Sequence, residues 1–253
     1  MNQSEKAARF TALHVKGAPL LLYNAWDAGS AKSIVAAGAK AIATSSWAVA
    51  EAQGYRDGEA IPVGLVEQIV ARITNTIDVP VTVDFEGGYS DDDKALAENV
   101  SRILDLGVIG INFEDRVVKG VGLYAVDRQA HRIAAIRDAA DKKGINLFLN
   151  ARTDLFLGQK GDPAQSVGDA LDRAKAYASA GASGLFIPGL QDDTLIGRIC
   201  DGTALPVNVM VMDGVPSTKR LSELGVARIS YGPIPYIRAM GALQQEAKKA
   251  LSS

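Results

Sequence analysis

Short apolar runs of strand length alternate with longer stretches of helical period along this chain, and the alternation repeats eight times. The strand-length runs fall at 20–24, 41–45, 81–84, 110–114, 146–150, 184–187, 206–209 and 228–230. A strand that is apolar throughout is buried on both faces, as happens in a parallel sheet covered by helices. Eight such units in 253 residues predict an α/β fold of the (β/α)8 TIM-barrel type. The competing architecture, a doubly wound open sheet, needs a glycine-rich turn after its first strand. Here that turn is Asn24-Ala25-Trp26-Asp27-Ala28-Gly29, which carries no dinucleotide fingerprint. No linker, charge block or low-complexity tract divides the chain, so residues 1–253 are expected to form a single barrel domain.

The stretches between the runs have helical stripes. Leu65, Val66, Ile69, Val70 and Ile73 share one face, with Pro62 placed for the first turn. Leu96, Val100, Ile103 and Leu104 form a second stripe; Val126, Ile133, Ile136 and Ala140 form a third, for which Asp127 is the expected N-cap. Gly38, Gly107, Gly181 and Gly225 each stand where a helix would end in the left-handed conformation before the next strand.

Composition removes several function classes. With 27 basic and 29 acidic side chains the formal net charge is −2, which provides no basic footprint for nucleic acid. No run of 18 or more apolar residues predicts a membrane span. The opening Met1-Asn2-Gln3-Ser4-Glu5-Lys6 lacks the apolar centre of a secretory signal. The lone cysteine, Cys200, rules out an internal disulfide and fits a reducing, cytoplasmic setting. It is expected to be inert packing.

In a TIM barrel the chemistry lies where the strands end. The second run leads into Thr44-Ser45-Ser46-Trp47, the third into Asp84-Phe85-Glu86-Gly87-Gly88-Tyr89, the fourth into Glu114-Asp115-Arg116 and the fifth into Asn150-Ala151-Arg152-Thr153-Asp154. The seventh contributes Asn208. Asp84, Glu86 and Glu114 thus converge on one rim with Arg152 beside them. Three carboxylates without clustered Cys or His make a hard-oxygen site, which favours Mg²⁺, or Mn²⁺, over Zn²⁺. Arg152 offers a bidentate fork to a carboxylate or phosphonate, and Ser45, Ser46 and loop N–H groups complete a cradle for a small dianion. A phosphate ligand would satisfy the same set. His131 lies about 200° around its helix from Ile133 and is expected to face solvent. His14 is expected in an N-terminal helix ahead of the first strand. Both are read as structural.

These segments, taken in order, resemble the isocitrate lyase/phosphoenolpyruvate mutase superfamily. The likeness runs through 24–30, Thr44-Ser45-Ser46, Val83 to Tyr89, Asn112-Phe113-Glu114-Asp115, Ala151-Arg152-Thr153-Asp154 and Pro206-Val207-Asn208-Val209. It implies a barrel that binds a 2-oxo acid or phosphonate with Mg²⁺ and stabilises its enolate. By position, Asp84 resembles the principal metal carboxylate, with Glu86 and Glu114 acting through metal-bound water; Glu86 stands where many members have Asp. Ser45 and Ser46, with Trp47 next to them and Asn208 across the barrel, resemble the substrate-binding set. Arg152 resembles the anion-binding arginine, and Asp57, in Tyr55-Arg56-Asp57-Gly58, a pocket acid.

The departure from the family lies after the fourth strand. The lyases carry Lys-Arg-Cys-Gly-His there, with the cysteine as proton donor. The corresponding stretch here is Lys119-Gly120-Val121-Gly122-Leu123, and only the lysine is kept. Val121 cannot transfer a proton, which argues against isocitrate or methylisocitrate cleavage. Decarboxylation of an oxaloacetate-like acid needs no side-chain acid at the bond-breaking step. The expected activity is therefore a carbon–carbon lyase of decarboxylase type. Phosphoenolpyruvate mutase or phosphonopyruvate hydrolase chemistry is the first alternative, and a non-catalytic 2-oxo acid binder the second. Residues 233–253 are expected to form a helix with Ile237, Met240, Leu243, Ala247 and Leu251 on its apolar side. By resemblance it is a helix swapped within a homo-oligomer, a dimer or tetramer; packing on its own barrel is the alternative.

Overall fold

The computed structural model describes residues 1–158 and 161–252. Eight parallel strands are present: β1 (Leu20–Leu22), β2 (Ile42–Ala43), β3 (Val81–Asp84), β4 (Gly110–Glu114), β5 (Phe148–Arg152), β6 (Gly184–Phe186), β7 (Val207–Met210) and β8 (Arg228–Ser230). They pair in the order β1-β8-β7-β6-β5-β4-β3-β2. The remaining seam, between β1 and β2, is closed by a parallel bridge of Ala25 to Thr44. Asn24 stitches the same seam: its Nδ2 donates to Thr44 O at 2.8 Å, and its Oδ1 accepts from Tyr231 N and Gly232 N, each at 2.9 Å. The architecture is the expected (β/α)8 barrel.

The helices are α1 (Gln3–Ala12), α2 (Ala28–Ala36), α3 (Ser46–Ala52), α4 (Val63–Thr76), α5 (Asp93–Asp105), α6 (Val126–Lys142), α7 (Val167–Ser179), α8 (Asp193–Gly202), α9 (Thr218–Glu223) and α10 (Ile234–Leu251). The predicted stripes face the sheet: Ile73 of α4, Leu96, Val100, Ile103 and Leu104 of α5, and Ile133, Ile136 and Ala140 of α6 are fully buried. Each such aliphatic side chain contributes about 1.5–3 kcal/mol by leaving water. Asp127 is not the N-cap of α6; Ala125 holds that position without a side-chain bond, and Asp127 lies in the first turn, where its charge suits the helix dipole. Pro62 is likewise the residue before α4 rather than inside its first turn.

Strand limits shift where polarity was taken for an end. The second strand stops at Ala43, because Ser45 caps α3, its Oγ accepting from Ala48 N. The fifth begins at Phe148 and runs on to Arg152, so Asn150 lies inside the barrel and not at its rim. The inward positions of β3, β4, β5, β7 and β8 carry Thr82, Asn112, Asn150, Asn208 and Arg228, none more than 5% exposed. Gly184 makes room for that polar layer: a Cβ there would meet Asn150 Oδ1 at 2.8 Å.

Below this layer α1 plugs the N-terminal mouth. Phe10 packs edge-on against Phe148, and the His14 ring stacks on Phe148 with centroids 3.9 Å apart. His14 lies past the end of α1 rather than in it, and its Nδ1 is 2.8 Å from Phe10 O. Burial, and then the charge of Arg228, push its pKa down to about 3, so the ring is neutral. His131 is exposed, as expected. Cys200 is buried in α8, where burial pushes its thiol up to about 11.

The C-terminal helix forms where predicted, with Ser253 outside the described residues. Its apolar side is bare: Ile237 is 51%, Leu243 62% and Leu251 88% exposed. Across the outer face of β1 lies a groove of about 740 Å³ lined by Leu13, Leu21, Tyr23, Ile34 and Tyr231 among others. In a complete (β/α)8 ring a helix covers each such face. No described helix is long and apolar enough to cross a membrane.

Candidate active site

The polar groups at the C-terminal mouth are ordered around Asp84, the last residue of β3. Its Oδ2 accepts from Ser46 N at 3.1 Å and from Ser46 Oγ at 2.8 Å, and its Oδ1 faces Asn112 Nδ2 at 3.4 Å. Ser46 opens α3, which is why its N–H is free to be donated. Ser46 Oγ also lies 3.5 Å from Asp57 Oδ1. Asp57 sits on an exposed loop with its carboxyl flanked by protein; that burial, then the charge of Asp84, raises it.

Glu86 belongs to a second cluster that sequence inspection does not reveal. Glu59, Glu86 and Tyr89 are the non-glycine residues with left-handed backbone among those described, at φ 56°, 48° and 62°. They touch one another. Glu59 N donates to Glu86 Oε2 at 2.8 Å, Tyr89 N to Glu59 Oε1 at 2.7 Å, and Tyr89 OH reaches Glu86 Oε1 at 3.3 Å. Such conformations cost about 1–3 kcal/mol each and persist where the surroundings over-determine them, as active sites do. Burial, then the charges of Asp57 and Asp84, push the Glu86 carboxyl up to about 8.

The third cluster holds Arg152. Its Nη1 meets Glu114 Oε2 at 2.9 Å, while Nε and Nη2 grip Asp154 Oδ1 and Oδ2 at 2.6 and 2.9 Å. Asp154 is held in turn, its N–H donating to Asp115 Oδ1 at 3.0 Å; Asp115 is fully buried and paired with Arg173 and Tyr177. Burial raises the Glu114 carboxyl, Arg152 opposes that, and Asp154, Asp84 and Glu86 add to it. A short charged contact of this kind favours the ionised pair. The fork expected to grip a ligand is thus occupied by Asp154 at Nε and Nη2 and by Glu114 at Nη1.

The turn after β4 is pinned at its base by the Arg116–Leu123 bridge and by Val117 N donating to Gly122 O at 3.0 Å. Val121, at its tip, is 97% exposed. Lys119 Nζ comes within 3.7 Å of Glu59 Oε2, which joins the turn to the Glu86 cluster. The structure therefore gathers Ser46, Asp57, Asp84, Glu86, Glu114, Lys119 and Arg152 at one mouth, with Ser45 behind them as a cap. Two predicted residues stand apart. Trp47 packs towards Tyr236 of α10, ring centroids 6.0 Å apart. Asn208 is 1% exposed in the inner layer, where its amide is spent on Asn150, Ser230 and main-chain carbonyls. Glu59 is the site residue that the motif reading passed over, and Tyr89 and Asn112 lie in its motifs without a role assigned to them.

Among the described residues no three His, Cys, Asp or Glu side chains converge closely enough to ligate one ion together. Mg²⁺ does not require that: it retains several waters and is held by one or two carboxylates. The crowding fits such an ion. Burial and then neighbouring carboxylates, Asp84 among them, raise Glu86 and Glu114, with Arg152 opposing at Glu114, and a divalent cation would add to that opposition.

Residues 10–251 match the family model described as phosphoenolpyruvate phosphomutase. An uncharacterized protein of Mycobacterium tuberculosis (strain ATCC 25618 / H37Rv) is 34% identical over 240 residues, covering 94% of this chain and 87% of its own. The 2-methylisocitrate lyase of Salmonella typhimurium is 29% identical over 243 residues, 91% of this chain and 79% of that one. A solved structure from Burkholderia cenocepacia J2315, provisionally assigned as a phosphonomutase, superposes with a TM-score of 0.95 at 44% identity, covering 98% of this chain and 100% of that one. Further relatives, each 30% identical over part of the chain, are named phosphoenolpyruvate phosphomutase (Streptomyces hygroscopicus) and oxaloacetate decarboxylase (Rhodopseudomonas palustris). A phosphonopyruvate hydrolase of the same fold, 18% identical at a TM-score of 0.83, was solved with oxalate and Mg²⁺. Barrel and sequence similarity agree, and the chain belongs to the phosphoenolpyruvate phosphomutase family.

Proposed function

We propose that this protein is a Mg²⁺-dependent enzyme acting at the C–C or C–P bond next to a 2-oxo acid, and that its reaction is decarboxylation of an oxaloacetate-like acid. The observation that supports this is the pairing of Asp84, held by Ser46 at the mouth, with a turn whose tip is Val121, 97% exposed and without acid–base capacity. A tricarboxylate lyase needs a base for the hydroxyl and an acid for the carbanion. Decarboxylation needs neither: the C3–C4 bond breaks, CO₂ leaves, its electron pair enters the 2-oxo group, and C3 takes a proton from water.

Asp84, Glu86 and Glu114 would hold a divalent cation, which would supply positive charge to the 2-oxo and carboxylate oxygens of the substrate. The chain does the rest. Ser46, whose N–H and Oγ–H both donate to Asp84 Oδ2, holds that carboxylate in place at the mouth. Arg152, held rigid by Asp154, keeps a fixed cation beside the charge that develops. Lys119 brings a second cation when its turn lies against Glu59.

A second reading is C–P chemistry on a phosphonate, favoured by Lys119 on that turn and by the 44% identical structure. The protein is also read as a homo-oligomer, a dimer or tetramer, because one chain exposes both the apolar side of α10 and an apolar groove over β1. The buried, unpaired Cys200 supports a cytoplasmic setting. The test is an NMR assay on oxaloacetate, methylisocitrate and phosphonopyruvate together, with Mg²⁺ or with EDTA. Metal-dependent loss of oxaloacetate with pyruvate formation is expected. Loss of phosphonopyruvate alone selects the second reading, and binding of 2-oxo acids without turnover makes the protein a binder and overturns both.

A further inference from the structure

The polar layer inside the barrel contains a charge that the chemistry above does not use. Arg228, on β8, is 1% exposed, and one hydrogen bond holds its guanidinium: Nη2 donates to Asn112 Oδ1 at 3.1 Å. Nε and Nη1 are buried without a partner. No carboxylate pairs with it among the described residues. Burying a cation so sparsely bonded is costly, and an apolar side chain of similar length would fill the space without that cost. Burial pushes the guanidinium down to about 9, and the charge that opposes this is Asp84.

Asn112 links the two. Its Oδ1 accepts from Arg228 and from Asn150 Nδ2, the latter at 2.9 Å, while its Nδ2 points up to Asp84 Oδ1 at 3.4 Å. An amide can face either way, but a guanidinium has only donors. Reversed, Asn112 would set its carbonyl against the Asp84 carboxylate and its NH₂ against Arg228. Asn150 acts in the same sense, because its Nδ2 also donates to Asn208 Oδ1 at 3.0 Å and Asn208 turns its own Nδ2 to main-chain carbonyls; Arg228 adds the donor that cannot be reversed.

We propose that Arg228 is a positioning residue for the site: from inside the barrel it acts with Asn150 to fix the direction of the Asn112 amide, so that Asp84 receives an N–H donor on one oxygen while Ser46 supplies donors to the other. The consequence for cation binding rests on Asp84 being the metal carboxylate; the Arg228–Asn112 step does not.

The test uses Arg228→Met, Arg228→Lys and Asn112→Leu in the full chain. Without metal, the Asn112 side-chain amide protons, assigned by their absence in Asn112→Leu, are expected to be dispersed and slow to exchange. Arg228→Met should shift them and speed their exchange, and Arg228→Lys, which keeps a donor-only head, should leave them near their native positions. Unchanged Asn112 signals in folded Arg228→Met overturn the proposal. If the Met variant does not fold, loss of the signals' dispersion in Arg228→Lys overturns it instead. Mn²⁺ titration followed by electron paramagnetic resonance reads the second step: Asn112→Leu should bind Mn²⁺ about tenfold more weakly. Equal affinity would show that the relay stops at Asn112 and overturns the link to Asp84. A wild-type protein that takes up no Mn²⁺ defeats the cation reading, and the amide spectrum still decides the role of Arg228.

Discussion

The neutral His14 ring beneath the barrel makes stability depend on pH in a calculable way. Its pKa is pushed down to about 3 in the folded chain, mainly by burial against Phe10 and Phe148. Unfolded, it returns to about 6.5. Between those values the unfolded chain binds the extra proton, so stability is lost as pH falls and fully present above about 6.5. Each pH unit in that window is worth about 1.4 kcal/mol, so lowering the pH from 7.5 to 5.0 removes about 2 kcal/mol through this residue. His14→Phe preserves the aromatic stack and deletes the proton site. Urea unfolding of both proteins at the two pH values isolates the contribution, because every other titrating group is common to them. Wild type should lose about 2 kcal/mol more than the variant over that interval. Parallel losses would refute the neutral, buried assignment of the ring.

The seam of the barrel, the tip of the turn and the last helix give three further predictions. Asn24→Leu deletes three hydrogen bonds between β1, β2 and β8. At about 1 kcal/mol each it should cost about 3 kcal/mol, and calorimetry should show the midpoint falling by about 6–12 °C. Val121→Ala should leave decarboxylation within about twofold of wild type, since a solvated side chain at the tip stabilises little; a large loss in steady-state assays would give the tip a chemical role. Leu243→Glu places a charge on the bare side of α10 and should convert the oligomer to a monomer in size exclusion with light scattering, with circular dichroism unchanged. A wild-type monomer would remove the oligomer altogether.

Hydropathy exposes the strands of this barrel because both of their faces are covered: Val81, Val83, Ile111, Leu149 and Val209 are buried beneath helices and leave continuous apolar runs. The same rule misplaces polar residues. Asn150 and Asn208 look like rim groups, since a polar residue closing an apolar run usually marks the mouth, yet both belong to a polar layer inside the barrel. Arg228 carries a signal that can be recognised only afterwards, a charge opening a buried strand. Asp84, Glu86, Glu114 and Arg152 are legible because three adjacent strand ends carry them. Glu59 is not: it comes from the loop before α4, and its role depends on a left-handed backbone and on contacts to Glu86, Tyr89 and Lys119 that local sequence does not encode.

The most direct test of the proposed chemistry is the rate of pyruvate release from oxaloacetate, corrected for the metal-only background, with wild type and Asp84→Ala compared in Mg²⁺ and in EDTA. The account predicts turnover by wild type in Mg²⁺ alone, with chelation and the substitution each returning the rate to background. Undiminished turnover by Asp84→Ala, or by wild type in EDTA, would contradict it.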